Sequence, residues 1–452
     1  MVERGIDERS IAVFESYYEQ LAGGARGLVP EGSIEPLTEL PTLAGVRAGD
    51  DARATALGLV AVVKLNGGLG TSMGLTGAKT ALPVRDGLTF LDVIARQVLG
   101  LRERYGVALP LLFMNSFRTR AQTEQLLSAY PQLPVEGLPL GFEQGSEPKL
   151  RAGDLYPVDW PADAELQWCP PGHGDVYLSL LTSGVLDALR ARGIRYVFIS
   201  NGDNLGATCD PDIAAWLIEH EVPFLAEVCQ RTVNDRKGGH LARRRADGQI
   251  VLRESAMVPA GEEHYFTDET RHPTFNANNL WLDLDVLARR LAQPGGLGLP
   301  IIVNRKTVDP SDKSSTEVIQ IETAMGSAIG SIDGSAAMLV PRSRFRPVKT
   351  TNELALLRSD RYRLDDSWQI EQLVDGPEPR IDLGPGFTLV PDFERRFPAG
   401  VPSLRRCTSL QVRGDVTFGS GVVCAGAVTL EVDTPTTVPD GAVIGDSAPD
   451  GV

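Results

Sequence analysis

Residues 62–80 read VVKLNGGLGTSMGLTGAKT. An apolar run leads into five glycines between Gly67 and Gly77, with Lys64 before them and Lys79 after. The run, LGLVAVVKL from residue 58, predicts a buried strand, and the glycines predict a tight turn at its carboxyl end. Backbone N–H groups in such a turn can approach a polyanion closely, because no Cβ intervenes. Two familiar phosphate-binding templates nearly fit. A dinucleotide loop wants G-x-G-x-x-G, but Gly68-Leu69-Gly70 is followed by three residues before Gly74. A Walker loop wants Gly-Lys-Ser/Thr, but Ala78 separates Gly77 from Lys79.

Outward from the loop, apolar runs alternate with helical patterns. LPLLFMN (109–115), YVFISNGDN (196–204) and FLAEVCQ (224–230) predict further buried strands, and NNLWLDLDVLARRL (278–291) a strand edge running into a helix. TFLDVIARQVLGLRERYG (89–106) predicts a helix with Thr89 as its N-cap. This alternation predicts a largely parallel α/β sheet, in which ligands gather at the carboxyl ends of strands. The glycine loop, Asn115 and NGDN all fall at such ends.

The flanks differ. Ile6, Ile11, Phe14, Tyr17, Tyr18 and Leu21 recur at helical spacing, so residues 1–50 are expected as an N-terminal helical arm. The α/β domain is expected over 51–350, a linker over 351–380, and a β-rich module over 381–452. There, Gly-x-Val units at Gly414, Gly421, Gly426 and Gly441 suggest a parallel β-helix of short rungs, with an irregular β-sandwich as the alternative.

Bulk properties narrow the class. With 452 residues, two or three domains are expected. The formal net charge of −15 disfavours nucleic acid and anionic membranes as partners. Five scattered cysteines without a CxxC pair read as reduced thiols in a cytoplasmic protein. The charged start MVERGIDERS lacks a secretory signal's apolar core, and no apolar run has membrane-span length.

Three further segments carry chemistry. WCPPGHGDVY (168–177) sets His173 and Asp175 among prolines and glycines, a rigid shaped loop, although a lone histidine is usually a bland packed residue. In SNGDN, Asp203 closes an apolar strand, where it can hold a divalent metal beside a phosphate or merely cap a turn. In RPVKTTNE, Lys349 has nothing local to distinguish it from a solvated charge.

Taken together, KLNGGLGTSMGLTGAK, TFLDVIARQ, LFMNSF, PPGHGDVY, SNGDNLGATCD, KGGHLA, FNANNLW, VIQIETAMGSAI, PRSRFRPVKTTNEL and GDVTFG resemble, in order, segments of the eukaryotic-type UTP–glucose-1-phosphate uridylyltransferases. The resemblance covers roughly residues 10–445. It implies a Rossmann-like nucleotidyltransferase core with a mixed, mostly parallel sheet and a C-terminal left-handed β-helix, a candidate surface for homo-oligomers. It implies Mg²⁺ as cofactor, and UTP and glucose 1-phosphate as substrates. By position, Leu65, Asn66, Gly67 and Gly68 would hold the uridine nucleotide through the backbone, and Lys79 its phosphates. Gln144 and Gly172 would contact the nucleotide, Gln144 reading the uracil. His173 would touch the sugar phosphate. Asn201, Gly202 and Asp203 would line the site, with Asp203 on the metal. Asn278 would bond the hexose, and Lys349, with Lys79, would neutralise phosphate charge in catalysis. The sequence departs from the family at Ala78, where proline is usual, at Gly202 in NGD, in FEQGSEPKL, and at the polar insertion DPSDKSST (309–316). Another sugar 1-phosphate, N-acetylglucosamine or galactose, is the alternative substrate. A dinucleotide-dependent oxidoreductase is a more distant alternative, disfavoured by the glycine count.

Overall fold

The computed structural model describes residues 1–446 apart from Val233, Asn234, Lys237 and Pro294. The lysine of KGGHLA and the last six residues of the chain therefore lie outside the described residues. A seven-stranded sheet forms the centre. Its strands are β1 (Val60–Asn66), β2 (Leu111–Asn115), β3 (Gly141–Glu143), β4 (Tyr196–Asn201), β5 (Phe224–Gln230), β6 (Thr274–Asp283) and β7 (Ala336–Leu339). They lie side by side in the order β7-β5-β6-β4-β1-β2-β3. β6 runs against both neighbours, and the remaining pairings are parallel. The fold is thus mixed α/β with a mostly parallel sheet.

Both faces of the sheet are covered, which is why these strands read as unbroken apolar runs. Successive side chains on a strand point to opposite faces. Val60 and Val62 accordingly join Phe113 and Phe198 in one core, while Ala61 and Val63 join Met114 and Ile199 in the other. The first core is closed by Phe90–Tyr105. That helix begins with a reciprocal capping box: Thr89 Oγ1 accepts from the Asp92 N–H, and Asp92 Oδ2 accepts from the Thr89 N–H. The second core is closed by Val176–Thr182 and Val185–Ala191. The N-terminal helix Glu8–Ala22, capped by Asp7, lays Phe14, Tyr17 and Tyr18 on a satellite cluster around Ile301, Ile319 and Ile321.

The insertion at 309–316 is the exposed tip of a hairpin between Ile301–Thr307 and Glu317–Thr323. Past the sheet come β8 (Arg380–Asp382), β9 (Ser403–Arg413), β10 (Val416–Phe418), β11 (Val423–Glu431), β12 (Thr436–Val438) and β13 (Val443–Gly445). All of their pairings are parallel. Ser403 stands beside Val423 and Val423 beside Val443, twenty residues on, as do Val416 and Thr436, while two bulges narrow the β9–β11 register to eighteen by Arg413 and Glu431. Phe387, Phe393, Phe397 and Phe418 of this region belong to the same core as Phe90.

Candidate active site

At the carboxyl ends of β1, β2 and β4 lies a cleft of about 300 Å³. It brings together Leu65, Asn66, Gly67, Gly68, Lys79, Gln144, Gly172, His173, Asn201 and Asp203, ten of the residues the sequence singles out. Thr80, Met114 and Pro170 also line it, and local sequence gives no signal for them.

The floor is fixed by a buried amide network. Asn66 donates from Nδ2 to Asn115 Oδ1 (2.8 Å) and Thr123 Oγ1 (2.7 Å), and accepts at Oδ1 from Thr80 Oγ1 (2.6 Å). With its side chain so committed, Asn66 has only its backbone to offer a ligand. Gln144 arrives from the end of β3, its N–H bonded to Asn115 O at 2.8 Å. Its amide lies flat on Gly67, where an added Cβ would fall 2.7 Å from Gln144 Nε2. The glycine at 67 lets this amide close on the loop; a side chain there would have to push the Gln144 amide aside.

Lys79 is aimed by two hydrogen bonds: its own N–H to Gly68 O (3.1 Å), and the Ala78 N–H to Gln122 Oε1 (2.7 Å). Ala78 takes φ −58°, a value proline also adopts, but proline has no N–H for Gln122. Lys79 Nζ meets Asp203 Oδ2 at 2.5 Å, with side chains 15% and 19% exposed. Behind them, Lys64 is fully buried, donating to Ser200 Oγ (2.7 Å) and Ala207 O (2.5 Å). Burial, reinforced by the Arg344 charge, draws its pKa down to about 7.

The opposite wall is the PPGHGD turn. Gly172 has φ 82°, and a Cβ there would fall 2.7 Å from Thr323 O, so this position admits only glycine. His173 Nδ1 accepts the Met325 N–H at 2.9 Å. The ring is therefore the neutral tautomer with its proton on Nε2, and burial lowers its pKa, favouring that form.

Three predicted residues stand outside the cleft lining. Gly202 is buried and ties β4 to β1 through its N–H to Leu65 O (2.9 Å). Asn278 sits at a bulge of β6 with φ 54°, its Oδ1 accepting from Asn276 Nδ2 (2.9 Å). Lys349 is exposed and lines a separate groove toward the C-terminal region, with Arg346 and Arg380. Its backbone nonetheless adjoins the cleft, since the Val348 N–H bonds Asp203 O (3.2 Å) and Pro347 bridges to Asn204.

The anchor of that segment escaped the sequence reading. Arg344 Nε and Nη2 bind both oxygens of Glu227 at 2.6 Å, and Trp281 and Asn279 donate to the same carboxylate. The partners lie 117 residues apart, so no local pattern announces them. Among the described residues, no group of three or more His, Cys, Asp or Glu side chains could cage a metal. Asp203 is a single carboxylate, which suits an ion that takes one or two protein oxygens and completes its shell with water and substrate phosphates.

The model of the UTP–glucose-1-phosphate uridylyltransferase family matches residues 13–425. The barley (Hordeum vulgare) UTP–glucose-1-phosphate uridylyltransferase is 39% identical over 449 residues, covering 97% of this chain and 93% of that protein. The Leishmania major UDP-glucose pyrophosphorylase, solved in open and closed structures, superposes with a TM-score of 0.91 at 40% identity, over 99% and 97% of the two chains. A variant of that enzyme in complex with UDP-glucose gives 0.92 at 40% identity, with the same coverage. The fold, the glycine-loop cleft and these likenesses agree: the chain belongs to the UTP–glucose-1-phosphate uridylyltransferase family.

Proposed function

We propose that the cleft seats UTP along Leu65–Gly68, with Gln144 on the uracil, and glucose 1-phosphate against His173, its hexose reaching beyond the lining to Asn278. The protein transfers UMP from UTP to glucose 1-phosphate, giving UDP-glucose and pyrophosphate. The observation that carries this reading is the Lys79–Asp203 ion pair at the mouth of an amide-rich turn. A cation and a metal-ligating carboxylate are thereby set at one point, where a polyphosphate reaches both.

The sugar phosphate's oxygen attacks the α-phosphorus in line, and pyrophosphate leaves. A phosphate monoester's second pKa is about 6, so the nucleophile is already largely anionic and needs no general base. The task is to hold two anions together. The turn's amides and Lys79 take the triphosphate. His173 donates from Nε2 to the sugar phosphate, its neutral state adding direction without a charge. Lys349 adds its cation as charge moves toward the leaving pyrophosphate. Mg²⁺, bound through Asp203, would neutralise phosphate oxygens.

We read the parallel register of β9–β13, eighteen to twenty residues long, as rungs of a left-handed β-helix in the module expected over 381–452, whose last six residues lie outside the described ones, with 1–50, 51–350 and 351–380 as arm, catalytic domain and linker. That module is a candidate surface for pairing chains. Five buried free thiols favour a cytoplasmic setting, and no helix of the described residues is long and apolar enough to cross a membrane.

Pyrophosphate release across a panel of nucleoside triphosphates and sugar 1-phosphates tests the function. The pair UTP with glucose 1-phosphate should give the highest kcat/KM. A different best sugar would reassign the second substrate, and no release with UTP would overturn the reading.

A further inference from the structure

The PPGHGD turn contains a second polar residue to which the reaction assigns no task. Asp175 is buried and is not itself one of the residues lining the cleft. Its Oδ2 accepts two hydrogen bonds, from the Gly145 N–H at 2.6 Å and from Ser179 Oγ at 2.6 Å. Gly145 immediately follows Gln144, and Asp175 stands two residues after His173. One carboxylate oxygen therefore joins the chain segments that carry the nucleotide-side glutamine and the sugar-phosphate-side histidine.

We propose that Asp175 is a positioning residue that couples the two substrate loops, setting Gln144 and His173 relative to one another. The inference rests on the placement of UTP at Gln144 and of the sugar phosphate at His173 proposed above.

The surroundings make this bond matter. The other side of the tether faces a partly open pocket of about 60 Å³ lined by Phe14 and Tyr17 of the N-terminal helix. Hydrogen bonds to an ionised group away from water are short and strong. Burial raises the Asp175 carboxyl above its ordinary range, and the bonds from Ser179 and Gly145 offset only part of that rise. The His173 side of the link is also stiff. The ring is fixed by the Met325 N–H, and Met325 O in turn accepts from Tyr177 Oη at 2.6 Å. A rigid turn on one side and a bare glycine on the other leave the single carboxylate oxygen as the adjustable joint.

Both donors converge on Oδ2, so Asp175→Asn can present its amide oxygen there and keep both bonds. Asp175→Ala removes them. UTP dissociation constants and KM for glucose 1-phosphate are measured for both variants, alone and combined with Gln144→Ala and His173→Ala. Asp175→Ala is expected to weaken UTP and raise KM for glucose 1-phosphate together, each by about tenfold, the size of one charge-assisted bond. Asp175→Asn should stay within about threefold of the parent. In the combined variants the effect of Asp175→Ala on UTP should vanish when Gln144 is already gone, and its effect on glucose 1-phosphate when His173 is gone. A merely structural role would instead give additive losses, or a lower Tm with both substrate constants unmoved, and either result overturns the inference. Asparagine behaving like alanine would also overturn it, since charge and not the tether would then matter. If Asp175→Ala does not fold, Ser179→Ala replaces it, weakening the tether by one donor, with a smaller joint shift expected and the same non-additivity. Should Gln144→Ala alone leave UTP binding intact, the assignment of Gln144 fails, and the His173 half of the cycle decides the tether by itself.

Discussion

The glycine-loop cleft and the Arg344–Lys349 segment meet at Asp203, yet they are held in different ways. The cleft is assembled from neighbouring strand ends. Its lysine is steered by two backbone hydrogen bonds and paired with Asp203 at 2.5 Å. The Lys349 segment crosses from the far edge of the sheet and is pinned by one buried bidentate pair, Arg344–Glu227, with Lys349 itself left exposed. On the proposed function, the first region is a prebuilt seat for a nucleotide, and the second would bring its exposed cation to phosphate once substrate is present. An interaction realised late in the reaction acts on kcat more than on binding.

Glu227→Ala tests the anchor of the second region and should have the largest effect. Leaving Arg344 buried without its partner costs about 3–5 kcal/mol of stability by urea denaturation. A loss below about 1 kcal/mol would show that the pin carries little. Asp203→Asn strikes the point where the regions meet. Activity should fall about tenfold or more, with the magnesium titration moved to higher concentration, and an unchanged titration would remove Asp203 from the metal. His173→Ala acts within the cleft alone: KM for glucose 1-phosphate should rise about tenfold, the worth of a hydrogen bond to a charged group. If only the UTP constant moved, the histidine would belong to the other substrate.

The smallest effect concerns residue 78. The sequence shows alanine where the family prefers proline, and from sequence alone that suggests a looser Lys79. The structure gives a compensating hydrogen bond from Ala78 to Gln122, forty-four residues on. Ala78→Pro keeps φ but forfeits that bond, so unfolding free energy should change by no more than about 1 kcal/mol. A loss of several kcal/mol would mean that Gln122, and not backbone stiffness, sets the loop.

That position also shows where sequence reading stops. Strands, the Thr89 cap and the loop's place at a strand end were legible because each depends on residues a few positions apart, and an unbroken apolar run has few outcomes in a covered sheet. Ten of the thirteen site residues gather in one cleft for the same reason: they follow strand ends or glycine turns. What depends on distant pairing was not legible. Glu227 and Arg344, Gln122 and Ala78, and His173 with the Met325 N–H are each joined only by the fold. The antiparallel β6 and its bulge at Asn278 likewise arise from pairing with β5, which no local pattern specifies.

The central claim is that Lys79 belongs to a prebuilt nucleotide seat and Lys349 to the reaction's later charge. UTP affinity by calorimetry and kcat by pyrophosphate release, measured side by side for Lys79→Ala and Lys349→Ala, test it most directly. Lys79→Ala should weaken UTP binding by about tenfold or more. Lys349→Ala should hold UTP within about threefold while kcat falls by about a hundredfold or more, as for loss of one preorganised donor. Near wild-type turnover in Lys349→Ala, or a loss of UTP affinity equal to that of Lys79→Ala, would contradict the account.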